Sequence, residues 1–335
     1  MINVRVINYG KRGNSQRFLC RKCGKTFTQN YSKKLDSKAL LISHLDGIPL
    51  RKISRETGKS PMTIFRLCNR ELLKLPICSF VTSRFCDMSK FCGFLVFDGK
   101  FLSVKGYRKD IPILWGADYQ THDILHFVLA PSESYVACKN YFTSIKNLGY
   151  NLKYLVSDDN KAIRMAMEFV YPNAIFQLCL NHYKESIRRN LGIRTNEKYR
   201  KLFFEIDSLF TNRLDLVSFT WAIANLYKNY RNDSRCLFWI EDLMIRRKEL
   251  TNYHQFEKAP NTTNLIESFN SQLEQRTKAI KGFQSFKSAN LWLNGFVLRR
   301  RFSKFTDCRN NFKHLNGKRP LEMTKKDNLN LPNFI

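Results

Sequence analysis

Three acidic residues stand where their carboxylates could hold metal ions. Asp98 closes the apolar run Phe94-Leu95-Val96-Phe97 and is followed by Gly99, and Asp158 closes Tyr154-Leu155-Val156-Ser157 in the same way. Both read as carboxylates at the tips of buried strands, where α/β sheets collect their ligands. Glu267 falls on a predicted helix, three residues after Asn264 and on the same face. Three such carboxylates can hold two divalent ions a few ångströms apart. The ions then activate a water or a 3′-hydroxyl and stabilise the leaving oxygen of an in-line phosphoryl displacement. Asp118, Asp123 and Asp159 compete for the same work. Asp158 is preferred to Asp159 because it continues the strand and leaves its neighbour in the turn.

These acids need a sheet and a helix to position them. Short β-branched or aromatic runs recur at CGFLVFDG, FLSVKGY, IPILWGADY and HDILHFVLA, and they predict three or four adjacent antiparallel strands. A helix at 135–148, the strand LKYLVSDD, a helix at 160–169, the strand AIFQLC and a helix from Leu180 to Leu191 follow in order. Strands in succession and then alternating β and α give an α/β class with a ribonuclease H-like core. Residues 197–256 read as helices throughout, with aromatic stripes at Phe203, Phe204, Phe210, Trp221 and Tyr227, and form an all-helical insertion. Two more helices are predicted at 262–280 and 285–304, and a basic tail follows.

The charge balance points to the partner. The 335 residues carry 57 Lys plus Arg against 28 Asp plus Glu, a net charge of +29. Such a field attracts polyanions and releases counterions when phosphates bind. The excess sits at the ends, with 17 basic and 4 acidic residues in 1–75 and 14 and 3 in 275–335, whereas 76–185 holds 12 and 10. DNA grips flanking a near-neutral catalytic body are expected. Ten scattered cysteines argue against a disulfide framework, and no apolar run is long enough to span a bilayer. A protein of the cytoplasm, or of wherever the genome lies, with no membrane partner, is expected.

The basic N-terminal part divides in two. Cys20 and Cys23, two residues apart and followed by Gly24, form half of a zinc ribbon. The first nineteen residues hold no Cys or His, so Zn²⁺ here would need a distant ligand such as His44, or the knuckle is a remnant. From Ser37 to Leu75, apolar positions such as Leu50, Ile53, Ile64 and Leu67 recur at helical spacing, with Gly47 and Gly58 as breaks and Ser60-Pro61 as a helix start. This is the pattern of a helix-turn-helix, whose last helix would carry Thr63, Arg66 and Arg70 into the major groove. Residues 78–92, rich in Cys and Ser, read as a linker.

The stretch SDDNKAIRMAMEFVYPNAIFQLCLNHYKESIRRN resembles a segment of Mutator-type transposases, through Asp158, Pro172, Gln177, Cys179, His182 and Arg189-Asn190. TTNLIESFNSQLEQRTKAIKGFQSFKSAN is similar to the block that carries the family's catalytic glutamate, and HLNGKRPLE to its C-terminal end. The resemblance covers nearly the whole chain. It implies a DDE transposase of a bacterial insertion sequence, with Asp98, Asp158 and Glu267 as catalytic metal ligands and two Mg²⁺ or Mn²⁺ ions as cofactors. It further implies that Asn264, Arg276, Cys179 and His182 assist at the active site. Terminal inverted repeats and target DNA would be the partners, and a homo-oligomer would handle two element ends together. Asp159 stands where the family usually has glycine. The implied organisation is a knuckle at 1–34, a helix-turn-helix at 35–77, core segments at 90–192 and 261–305, a helical insertion at 193–260 and a tail at 306–335. A DNA-binding regulator without catalysis is the alternative, and a structure-selective nuclease a third reading that leaves the helix-turn-helix unexplained.

Overall fold

The basic N-terminal part forms a small antiparallel sheet of β1 (Val6–Arg12), β2 (Ser15–Cys20) and β3 (Thr26–Thr28). The structure, a computed structural model, describes residues 5–13, 15–28 and 35–335; the rest of the expected 1–34 unit lies outside the described residues. Gly24, at φ +68°, closes the turn that carries Cys20 and Cys23, and its amide donates to the Cys20 carbonyl at 2.8 Å. Among the described residues these two thiols are joined by no third Cys, His or carboxylate. His44, the proposed distant ligand, instead faces the Ile48 carbonyl and the Trp292 ring.

Three helices follow, α1 (Ser37–Leu45), α2 (Leu50–Thr57) and α3 (Pro61–Leu72). Asp36 caps α1 and Ser60 caps α3, accepting from the Thr63 amide, with Pro61 in the first turn. Leu41, Leu45, Ile53, Ile64, Cys68 and Leu72 are buried among them. Residues 78–85, expected as linker, form a further helix, α4 (Cys78–Phe85). Ser, Thr and Cys are weak helix formers, but tertiary partners decide the conformation here. Asn294 Oδ1 accepts from the Cys78 amide at 2.8 Å, and the Thr82 hydroxyl donates to the Leu125 carbonyl at 2.6 Å.

The central sheet has the order β6-β5-β4-β7-β8. β4 (Phe94–Leu102), β5 (Ile111–Asp118) and β6 (Phe127–Leu129) are antiparallel, while β7 (Tyr154–Ser157) and β8 (Ile175–Leu178) run parallel to β4. The two strands expected before residue 108 are thus one: β4 continues through Gly99, with Leu95 to Leu102 paired to β5, so Asp98 lies inside the strand and not at its tip as expected. α5 (Tyr135–Asn147) and α6 (Lys161–Val170) pack against each other, with Phe97 of β4 against Tyr141 and Phe142 of α5. α7 (Leu180–Asn190) leads into the insertion, which is helical as expected: α8 (Arg200–Thr211), α9 (Leu216–Tyr230) and α10 (Ser234–Thr251). Its aromatic stripe divides: Phe203 and Phe210 are buried, whereas Phe204, Trp221 and Tyr227 are exposed.

α11 (Asn264–Ile280) and α12 (Phe286–Phe302) cover the opposite face of the sheet, where Phe296 meets Trp115. α12 also ties the N-terminal helices to the core. A Cβ on Gly295 would stand 2.4 Å from Leu72 Cδ2, and Arg299 grips Asp46 with two hydrogen bonds of 3.0 and 2.8 Å. The C-terminal stretch packs back through α13 (Pro320–Thr324), whose Leu321 is buried. The molecule is a mixed α/β protein with a helical majority. No helix among the described residues is long and apolar enough to cross a membrane.

Buried His122 and part-buried His126 give this core an acid-sensitive contribution. Burial holds the His122 ring, packed on Phe305 and Phe312, and that of His126 down to about 4 from an ordinary 6.5. Between these values the unfolded chain binds protons that the folded chain refuses. The contribution of these two rings to stability is therefore complete above about pH 6.5 and is lost as the pH drops towards 4, while buried carboxyls raised elsewhere act in the opposite sense over the same range. At about 1.4 kcal/mol per pKa unit, the loss is on the order of 3 kcal/mol for His122. Of this, about 2 kcal/mol is lost between pH 7.5 and 5, and the unfolding free energies from urea titrations at those two values should carry that difference. The difference should shrink in His122→Asn, whose side chain tolerates the left-handed backbone at φ +54°. An unchanged pH dependence in that variant would rule His122 out as the cause.

Candidate active site

β4 and β7 run side by side, with Leu95 opposite Leu155 and Val96 opposite Val156. Two residues further along the same register come Asp98 and Asp158, at the level where β7 ends. Adjacent strands lie about 4.8 Å apart, so the two carboxylates leave the sheet as neighbours. Their charges act on each other: burial first, then Asp158, push the Asp98 carboxyl up to about 6, and Glu267 adds to the rise. Asp158 is also raised, by burial, against the opposing pull of His182. Its Oδ1 is buried and has no hydrogen-bond partner.

Asp98 is held from α11. Its Oδ2 accepts from Asn270 Nδ2 at 2.7 Å, and Asn270 Oδ1 in turn accepts from the indole of buried Trp115 at 2.9 Å. The backbone amide of Gly99 donates to Asp98 Oδ1 at 2.8 Å. One turn earlier on the same helix, Glu267 faces the same space, and the buried hydroxyl of Thr263 donates to its Oε1 at 2.6 Å. Thr263 is itself seated on Cys179: its amide donates to Sγ at 3.3 Å, and its Oγ1 lies 3.1 Å from that sulfur. His182 Nδ1 lies 3.4 Å from Thr263 Oγ1, and His182 Nε2 lies 3.8 Å from Glu267 Oε1. A hydrogen bond with Cys179, followed by the charges of Cys179, Glu267 and Asp98, lifts His182 to about 9, so the ring is cationic at neutral pH. Burial raises the Cys179 thiol, but bonding to His182 and Thr263 outweighs it and leaves the thiol below its ordinary value.

Residues 81–304 match the family model described as Transposase, Mutator family. The chain belongs to this family. A transposase for insertion sequence element IS1201 from Lactobacillus helveticus is 26% identical over 175 residues, covering 51% of this chain and 46% of that relative. The chain thus spans about half the length of the curated relative it matches.

Within this Mutator-family chain the competing acids have other partners. Asp159 is exposed and pairs with Arg246 of the insertion at 2.6 Å. Asp118 is buried among Cys92, Thr121 and Tyr150, and Asp123 is paired with Arg301. Of the assisting residues expected from the resemblance, Cys179 and His182 lie against Thr263 and Glu267. Asn264 instead accepts from Asn181 at 2.7 Å. Arg276 turns towards α1, donating to the Leu45 carbonyl at 3.2 Å and stacking on Phe296. Thr63, Arg66 and Arg70 line an exposed face of α3.

Two positioning residues, Thr263 and Asn270, escaped the sequence reading. Their spacing from Glu267, four before and three after, is helical and was the available signal. Glu133, in the loop before α5, is also pushed up, to about 7, by burial and then by Asp158 and Asp98. Nothing in its local sequence marks it.

The donor chemistry allows two kinds of ion. Cys179, His182 and Glu267 have ligand atoms within 4.8 Å of one another, a set suited to a softer metal. However, the sulfur and the imidazole are already engaged with Thr263. Carboxylates suit a hard ion such as Mg²⁺ or Mn²⁺, and the orphaned Asp158 oxygen lacks the partner that such an ion would supply.

Proposed function

We propose that this chain is a DDE-type transposase that cleaves and transfers DNA strands at the terminal inverted repeats of its insertion sequence. Its sheet and flanking helices are read as a ribonuclease H-like core, on the strength of three antiparallel strands continued by two parallel ones. Asp98, Asp158 and Glu267 are the ligands for two Mg²⁺ or Mn²⁺ ions. Asp158 Oδ1, buried beside a second carboxylate and without a partner, is the observation that carries this reading. A pair of divalent ions supplies activation of the attacking oxygen and charge stabilisation of the leaving one.

The protein's own groups hold the ligands in place. Asn270, braced by Trp115, fixes Asp98, and Thr263, braced by Cys179, fixes Glu267. Cationic His182 offers a positive charge beside the site, suited to an approaching phosphate. α1 to α3 are read as a helix-turn-helix with α3 in the major groove, and two copies of the chain are expected to bridge two element ends. Such a protein works beside the genome.

The test is a duplex carrying the element's own ends, incubated with purified chain and Mg²⁺, Mn²⁺ or EDTA. Metal-dependent nicks leaving 3′-hydroxyl ends, followed by joined products, are expected. Tight binding to the ends without any nick in either metal would show a regulator instead. For the groove contacts, Arg66→Ala should weaken binding to the repeat by about tenfold or more, corresponding to about 1–3 kcal/mol for a base contact. Competition with unrelated DNA checks this: an equal loss on both duplexes would remove Arg66 from sequence readout.

A further inference from the structure

Glu133 lies between β6 and α5, one residue ahead of Ser134, whose hydroxyl caps α5. Side chains alternate along a strand, so Asp98 and Trp115 face α11 while Phe97 and Gly99 face α5. Glu133 occupies that second face, with Oε1 only 2.5 Å from where a Cβ on residue 99 would stand. Gly99 has no left-handed backbone angle to require glycine. The absence of a side chain there leaves room for the flexible end of Glu133 to lie against the strand, where a Cβ would displace it.

Gly99 is thus a gap in the sheet beside Asp98, and a fourth carboxylate lies over that gap. Burial first, and then the charges of Asp158 and Asp98, raise Glu133 there, while Asn160, two residues past Asp158, opposes the rise. Burial pushes up the Cys138 thiol, in the first turn of α5, and the charges of Glu133 and Asp158 add to the rise. Carboxylates gathered in a partly buried site are costly without compensating positive charge. The protein carries a net +29, yet among the described residues no Lys or Arg pairs with Asp98, Glu133 or Asp158, and the single charge of His182, which acts on the two aspartates, does not balance three carboxylates and Glu267. Together with the partnerless Asp158 oxygen, this leaves a multivalent cation as the missing partner.

We propose that Glu133 is a fourth acidic ligand of the divalent-ion site, approaching it across Gly99 from the α5 side of the sheet. The inference rests on the reading of Asp98, Asp158 and Glu267 as metal ligands, and extends it to a residue outside that triad.

The experiment titrates the purified full chain with Mn²⁺, following the free ion by electron paramagnetic resonance, in the wild type, Glu133→Gln, Asp158→Asn and Asp98→Ala. Glu133→Gln should weaken at least one Mn²⁺ ion about tenfold or more, with the melting temperature and end-DNA binding retained. If Glu133→Gln proves unstable, Glu133→Ser, which withdraws the side chain from Gly99, is read in its place. Wild-type affinity in the Glu133 variant, with binding lost in Asp158→Asn, overturns the role of Glu133 and leaves the triad standing. Unchanged binding in both aspartate variants overturns the triad reading itself, and the role of Glu133 with it.

Discussion

Asp158→Asn should lower metal-dependent strand cleavage by about 10³-fold or more, the loss expected when a charge-stabilising group is removed from a preorganised polar site. The substitution preserves shape and removes one negative charge from a carboxylate whose Oδ1 has no partner in the protein. It also relieves the repulsion that raises Asp98, so the metal-free variant should melt no lower than the wild type. Binding to the terminal repeats should persist, because α3 and its exposed arginines belong to a separate set of elements. Asp159→Asn is the internal control: it breaks only the pair with Arg246 on an exposed side chain, and exposed pairs contribute about 1 kcal/mol or less. Cleavage by that variant should stay within a few-fold of wild type. Gel assays of both variants on the same labelled ends decide the matter. Comparable activity in both would remove Asp158 from the proposed metal site, and a loss confined to Asp159→Asn would transfer the role to its neighbour.

The largest effect on stability is expected at Arg301. Its side chain is fully buried and bonds Asp123 through Nε at 2.7 Å and through the second terminal nitrogen at 2.8 Å, with Thr82 Oγ1 at 2.7 Å from the first. Asp123 also accepts from the Thr324 hydroxyl at 2.9 Å. One ion pair therefore joins α12, α4, the turn after β5 and the returning C-terminal helix α13. Removing one partner strands a charge in the interior, which costs about 3–5 kcal/mol, whereas replacing both with apolar residues is far milder. Arg301→Met should lower the unfolding free energy from urea titration by that amount, and Arg301→Met with Asp123→Leu should recover much of it. A single variant within about 1 kcal/mol of wild type would mean that water or a rearranged partner satisfies Asp123.

The elements were largely legible because their signals are local. β7 and β8 are short apolar runs, Ser60-Pro61 marks the start of α3, and the helical insertion shows its periodicity within each helix. α4 was not legible. Its residues have little helical preference of their own, and the bonds that hold it come from Asn294 and Leu125, far away in the chain. The C-terminal stretch, read as a basic tail, docks for the same kind of reason, through Thr324 and Leu321. Arg276 lies nine residues after Glu267, about half a turn round α11 from it, and it meets Leu45 because α1 packs on that other side.

The sequence by itself determined that the chain carries strong positive charge at both ends, that Asp98 and Asp158 follow apolar runs, and that Glu267 rides a helix, but not that Asp98 lies within β4 while Asp158 follows the end of β7. Charge and short-range periodicity are properties of the chain before it folds. Only the tertiary structure decided which groups hold those acids. Asn270 reaches Asp98 across 172 residues, and Thr263 meets Cys179 across 84. Glu133 lies over Gly99 from the other side of the sheet. Such pairings depend on strand register and on which helix face meets the sheet, and burial then sets their energies. No local window of sequence contains that information.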